Sequence, residues 1–251
     1  MGSKDGTGDI SEAQGYAADI DSIREAQARI APYVHRTPVM SSTSIDAMVG
    51  KKLFFKCECF QKAGAFKIRG ASNSIFALDD EQVSKGVVTH SSGNHAAAVA
   101  LAAKLRGIPA HIVIPRNAPA CKVENVKRYG GHIIWSDASI ESREYVCKRV
   151  QEETGAVLIH PFNSKYTIRP VVRDLVDDVI VVDDTAIVDA MKMCYEILKV
   201  AVEPSGAIGL AAALSDEFKQ SSAWHESSKI GIIVSGGNVD LGTLWQSMYK
   251  H

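Results

Sequence analysis

Residues 86–115 read GVVTHSSGNHAAAVALAAKLRGIPAHIVIP, and this stretch decides the fold. Gly86-Val87-Val88-Thr89-His90 reads as a short apolar strand, and a small polar turn follows it. An Ala-rich segment from about Asn94 to Leu105 has the composition of a helix, and Ala110-His111-Ile112-Val113-Ile114 is a second strand. Two strands joined by a helix are parallel neighbours, since an antiparallel pair needs only a tight turn. The same grammar runs outward. A helix to Tyr129 leads to Ile133-Ile134-Trp135, and one from about Ser139 to Thr154 leads to Val157-Leu158-Ile159. Upstream, Ile20, Ile23, Ile30 and Val34 space a helix capped by Asp19 and stopped before Pro38. Leu53 to Cys57 is a strand, and Gln61 to Gly70 is a loop running into a helix that continues to Leu78. Downstream, Val179 to Val182 reads as a strand and Asp184 as the cap of a helix to about Val200. A further helix follows Pro204, and Ile230 to Ser235 is the last strand. The expected fold is α/β, with parallel sheets covered by helices.

Composition excludes several functions. The 251 residues are 46% hydrophobic and 23% charged with a net charge of -1, which is the profile of a globular protein rather than a disordered or fibrous one. Near-neutral balance argues against nucleic acid as a partner, and no apolar run approaches the roughly 18 residues of a membrane span. Residues 1–18 read as a disordered N-terminal tail without the apolar centre of a leader peptide, so a cytoplasmic location is expected. Cys57, Cys59, Cys121, Cys147 and Cys194 are odd in number and scattered, as free thiols are. Cys57 and Cys59, two apart in an apparent strand, share a face; without further ligands nearby they read as buried small side chains, not metal ligands. Asp177, Asp178, Asp183 and Asp184 read as strand ends and helix caps, and no metal site is expected.

Parallel sheets bind ligands beyond the carboxyl ends of their strands, where turns and helix N-termini present free N–H groups. Three segments meet that requirement: Ser91-Ser92-Gly93-Asn94-His95, Ser235-Gly236-Gly237-Asn238, and Gly64 to Lys67. Each has small residues where a ligand would approach the backbone. Lys67 reads either as a solvated helix-start side chain or as an amine that attacks a carbonyl to form a Schiff base. Ser92 reads as a helix N-cap or as a catalytic hydroxyl. His90 and His95 read as groups that orient the turn between them.

Three ordered motifs, Phe66-Lys67-Ile68-Arg69-Gly70, Thr89-His90-Ser91-Ser92-Gly93-Asn94-His95 and Ser235-Gly236-Gly237-Asn238, resemble those of the fold-type II pyridoxal-phosphate (PLP) enzymes. Within them the chain resembles the serine racemase and threonine/serine dehydratase branch in its plant form, from about residue 20 to residue 250. The resemblance implies that Lys67 carries PLP as a Schiff base and acts as base on one face of the substrate, with Ser92 as acid/base on the other. It implies that Phe66 packs beside the cofactor ring, Asn94 bonds its 3-oxygen and Ser235 faces its pyridine nitrogen. Ser91, Ser92, Gly93, Asn94 and His95 would hold the carboxylate of L-serine, D-serine or L-threonine. Lys62, Tyr129 and Asp240 match nucleotide contacts at the dimer interface of the animal relatives, where ATP and Mg are effectors. The resemblance also implies a small α/β domain over 84–163 and a discontinuous large PLP-binding domain over 19–83 and 164–251.

One departure stands out. The family's glycine-rich phosphate loop and acidic metal site belong to a block that is missing here between Ile168 and Arg169, and no glycine occurs between Gly155 and Gly206. The phosphate supplies much of PLP's binding energy through charge-assisted bonds to backbone N–H groups. Impaired activity is therefore expected, along with uncovered apolar faces at Val179–Val182 and Ile230–Val234. The rival expectations are an inactive variant subunit that pairs with a full-length racemase in a mixed dimer instead of a homodimer, and a cysteine-synthase-like β-replacement enzyme. A nicotinamide-dependent dehydrogenase needs a Gly-x-Gly-x-x-Gly turn after the first strand, and the sequence has none.

Overall fold

The computed structural model describes residues 19–161, 176–240 and 242. The tail 1–18 and the Ile168–Arg169 junction lie outside the described residues. In chain order the first half runs α1 (Ile20–Ile30), β1 (Val39–Met40), α2 (Thr43–Val49), β2 (Lys52–Cys57), two 3-10 turns (Glu58–Phe60 and Lys62–Gly64), α3 (Lys67–Phe76) and α4 (Asp80–Lys85). Then come β3 (Val87–His90), α5 (Asn94–Arg106), β4 (Ala110–Pro115), α6 (Ala120–Arg128), β5 (His132–Ser136), α7 (Ile140–Thr154) and β6 (Val157–Leu158). The last part comprises α8 (Asp184–Met193), a π turn (Cys194–Leu198), α9 (Pro204–Leu214), α10 (Asp216–Gln220), α11 (Ser222–Glu226) and β7 (Lys229–Val234).

The strands form two sheets. One is all parallel in the order β5-β4-β3-β6, as the helices between its strands require. The chain steps from β3 through β4 to β5, then α7 carries it back to set β6 on the other side of β3. The strand order therefore reverses between β3 and β6, and in parallel sheets a ligand crevice lies beyond the carboxyl ends of the strands at such a point. The other sheet has the order β1-β2-β7, with β2 and β7 parallel and the short β1 antiparallel to β2.

Packing follows from the sequence pattern. All four residues of β3 are buried, which is what a central strand with helices on both faces needs. Helix α5 is apolar all round, and Ala96 to Ala100, Ala102 and Ala103 are buried. Its alanines let α3 lie close against it, so α5 is a central strut with its N-terminus at the crevice. A separate core gathers β2, β7, α8 and α9 around Phe55, Met191, Leu210 and Val234.

Several local expectations are corrected. Val179–Val182 is no strand: Ile180 and Val182 are half-buried while Val181 is 78% exposed, so the alternation is present without a partner strand among the described residues. Among the described residues β7 is also an edge strand of its sheet, and its Ile233 is 58% exposed. The cap of α8 is Asp183, which accepts from the Ala186 N–H, and not Asp184. That helix gives way at Cys194 to a π turn ended by Lys199 in the left-handed region. Helix α1 stops at Ile30, short of Val34. Strand β2 ends at Cys57, so Cys59 lies on a 3-10 turn and the two do not share a strand face.

Candidate active site

The loop before Lys67 and the loop after β7 are laced together. Ala65 bridges Gly236, the Phe66 N–H donates to the Ser235 carbonyl at 3.0 Å, and the Gly237 N–H donates to the Gly64 carbonyl at 2.9 Å. These turns therefore spend backbone groups on each other, which corrects the expectation that both hold them open for a ligand. Their glycines serve packing. A Cβ on Gly236 would lie 2.7 Å from Glu203 Oε1, and one on Gly237 would lie 2.6 Å from the Ala201 carbonyl. Gly64 has φ +70 and leaves the room that the Asn238 amide fills.

The third turn is different. Gly93, and not Ser92, is the N-cap of α5, and it caps without a side chain, so the Ser92 hydroxyl is not consumed as a cap. The N–H groups of Ser92, Asn94 and His95 take no acceptor among the described residues. A Cβ on Gly93 would meet nothing within 4 Å. This helix N-terminus is the open, anion-attracting end of the site.

Phe66, Lys67, His90, Ser91, Ser92, Gly93, Asn94, His95 and Ser235 all line one cavity of about 430 Å³, with Arg143, Glu203 and Ser205 among its other walls. The volume lies within the range of small-molecule sites. Lys67 opens α3, and its Nζ lies 5.1 Å from the centre of the Phe66 ring. Ser235 Oγ donates weakly to the Ser205 carbonyl at 3.4 Å.

His95 is buried, and burial pushes its pKa down to about 4, so the ring is neutral near pH 7. Its Nε2 lies 3.1 Å from the Ile159 carbonyl. A carbonyl only accepts, so Nε2 carries the proton. The bond ties the start of α5 to the end of β6 across the crevice. His90 is shifted down as well, by burial and then by His160, whose ring it meets edge-on at 5.3 Å.

A polar network missed by sequence reasoning holds Asn94. Its Nδ2 donates to Glu203 Oε1 at 2.6 Å, and its Oδ1 accepts from Asn238 Nδ2 at 2.9 Å. Asn238 Nδ2 also donates to the Ala63 carbonyl at 2.7 Å. Lys122 Nζ donates to the Asn238 carbonyl at 2.8 Å and lies 3.6 Å from Glu203 Oε2. Glu203 precedes the Pro204 that starts α9, and its N–H donates to the Gly236 carbonyl at 3.0 Å. Nothing local announces the network, since Glu203 and Asn94 are 109 residues apart. Lys62, Tyr129 and Asp240 lie outside this cavity; Tyr129 packs against the core beneath α5.

The ring half of PLP fits these residues: an amine, an aromatic face, a side-chain amide with one N–H left over and a hydroxyl share one cavity. Among the described residues the phosphate half finds no open glycine-rich turn, since the Gly236-Gly237 turn is closed against Gly64 and Ala65. The N-terminus of α9 begins with Pro204, which lacks an N–H, and lies behind the Glu203 carboxylate. Among the described residues no group of three or more His, Cys, Asp or Glu could hold a metal, and no helix is long and apolar enough to cross a membrane.

Residues 30–170 match the family described as pyridoxal-phosphate dependent enzyme, so the match ends beside the Ile168–Arg169 junction. A serine racemase of Oryza sativa subsp. indica is 65% identical over 338 aligned positions that cover 100% of each chain. Those 338 positions against 251 residues leave at least 87 without a counterpart here. A solved structure of maize serine racemase superposes with a TM-score of 0.89 at 71% identity, covering 94% of this chain and 98% of that one. A solved threonine deaminase of T.th. superposes with a TM-score of 0.80 at 26% identity, covering 89% of this chain and 99% of that one.

Proposed function

Because this chain belongs to the pyridoxal-phosphate dependent enzymes of fold type II, within the serine racemase branch, we propose that it interconverts L- and D-serine and eliminates water from L-serine and L-threonine. The observation that carries this reading is the convergence of Lys67, the Ser92–Asn94 turn and Ser235, three stretches far apart in the chain, on one cavity. Bound PLP supplies an electron sink for charge at the substrate Cα. Lys67 holds the cofactor and moves the proton on one face. Ser92, whose hydroxyl is free of capping duty, moves it on the other. The N–H groups at the start of α5, with Ser91 and His95, receive the substrate carboxylate. Phe66 would flank the cofactor ring. The Ser235 hydroxyl would face the pyridine nitrogen, and a hydroxyl there would leave that nitrogen largely neutral, a weaker sink that favours short proton transfers over transamination.

The test is a PLP titration read by visible absorbance with Lys67→Ala as blank, followed by assays for D-serine and pyruvate. A saturable band that Lys67→Ala abolishes is expected, and Ser92→Ala should lose D-serine formation by about a hundredfold or more. The same band in both proteins refutes the assignment of Lys67.

The reading further places the protein in the cytoplasm as a homodimer or a mixed dimer with a full-length subunit. Lys62, Tyr129 and Asp240 would lie at a nucleotide site served by ATP and Mg. It also divides the chain into a small domain over 84–163 and a large one made of the flanking segments.

A second reading, impaired turnover, is favoured by the 87 unmatched positions and the glycine-free stretch after Gly155. Three charge-assisted bonds to a phosphate would separate PLP from unphosphorylated pyridoxal by more than about a thousandfold in affinity. Here the two should bind within about tenfold of each other. A thousandfold preference for PLP would end this reading.

A further inference from the structure

We propose that Glu203 is a positioning residue: its carboxylate fixes the polarity of the Asn94 amide, so that Asn94 meets the cofactor's ring oxygen only as a hydrogen-bond donor. The inference rests on the PLP reading above and concerns how the same site is held.

An amide can be turned over with little change of shape, and what it offers a ligand depends on which end faces the ligand. A carboxylate has no hydrogen to give. Glu203 Oε1, 2.6 Å from Asn94, therefore accepts only the NH2 end. The carbonyl end of Asn94 then faces Asn238, which must present its own NH2 group at 2.9 Å. That NH2 group also meets the Ala63 carbonyl, which again demands a donor. One acceptor-only group at each end of the chain of bonds thus sets both amides. In this arrangement Oδ1 and one hydrogen of Asn94 Nδ2 are committed, leaving one hydrogen for a ligand.

The surroundings hold Glu203 where this works. It is 8% exposed, seated over Gly236 where a side chain would collide with it, and its backbone is bonded through the Gly236 carbonyl. Lys122, 3.6 Å away, balances its charge, so the carboxylate sets direction without leaving an uncompensated negative charge beside a ligand oxyanion. A donor at the ring oxygen favours its anionic form, and an acceptor there would favour the protonated form.

The experiment loads the full chain and its Glu203→Gln, Asn238→Ala and Lys67→Ala variants with PLP. It records the ratio of the visible band (ring oxygen ionised) to the near-ultraviolet band (ring oxygen protonated), with thermal melting as the check on folding. Glu203→Gln keeps the shape but lets Asn94 turn over, so the ratio should fall by about fivefold. Asn238→Ala removes a partner yet leaves the carboxylate holding the NH2 end, so its ratio should change by less than about twofold. Equal shifts in the two variants would show a merely structural network and overturn the proposal, as would no shift in a folded Glu203→Gln protein. A wild-type spectrum identical to that of Lys67→Ala would instead remove the PLP reading, and this proposal with it.

Discussion

Glu58→Ala tests whether the lysine-bearing helix is anchored as the structure indicates. Glu58 is 4% exposed on the 3-10 turn that follows β2, and its carboxylate accepts Arg69 Nε at 2.7 Å, Arg69 Nη2 at 2.8 Å and Thr37 Oγ1 at 2.7 Å. Arg69 belongs to the first turn of α3, which Lys67 opens, so this bidentate pair clamps that turn to the strand. Removing one partner of a buried pair costs about 3–5 kcal/mol, mostly from the charge left behind. The Arg69 side chain is 32% exposed and water can take back part of its charge, so about 2–3 kcal/mol is expected. Urea unfolding at pH 7 measures the difference directly.

The pH dependence is a second arm of the same test. Burial alone would raise the Glu58 pKa, but the bonds from Arg69 and Thr37 and the charges of Arg69 and Lys56 outweigh it, leaving the group below the ordinary carboxylate range. The unfolded chain therefore takes up the proton first as the pH falls. The stabilisation is whole above the ordinary Glu pKa of about 4.3 and is lost as the pH drops below it. The gap between wild type and Glu58→Ala should thus narrow from pH 7 toward pH 3. A gap under about 0.5 kcal/mol at pH 7, or one that widens in acid, would refute the reasoning.

Three further outcomes are expected. His95, held neutral with a pKa of about 4 against an unperturbed 6.5, should cost the wild type about 3 kcal/mol of stability between pH 7 and pH 4. The unfolded state protonates first, so paired urea curves at the two pH values should show that loss, and His95→Gln should lack it. Gly86 has φ +75, and a Cβ there would lie 2.6 Å from the Pro109 carbonyl; Gly86→Ala should lower stability by about 2 kcal/mol or more, read from the denaturation midpoint. Ile233→Lys, on the open edge strand, should change stability by less than about 0.5 kcal/mol while reducing aggregation measured by light scattering.

Much of this was legible in the residues. The strands at Val87, Ala110, His132 and Val157 and the helices between them follow from apolar periodicity, and their parallel pairing follows from the helical spacing. Residues that line the candidate cavity were legible too, because Lys67, the Ser91–His95 turn and the Ser235–Asn238 turn stand where strands give way to loops or helices. Those signals are local, carried by the order of neighbouring residues.

Only the tertiary structure decided the rest. Val179–Val182 alternates like a strand but pairs with no strand among the described residues, and a strand exists only where another edge supplies its hydrogen bonds. The paired glycines after Ser235 read as room for a ligand and proved to be room for Glu203 and Ala201. The neighbours of a buried polar group are chosen by the folded chain, not by sequence distance. Asn94 met Glu203 across 109 residues because a carboxylate removed from water must find partners wherever the packing brings them.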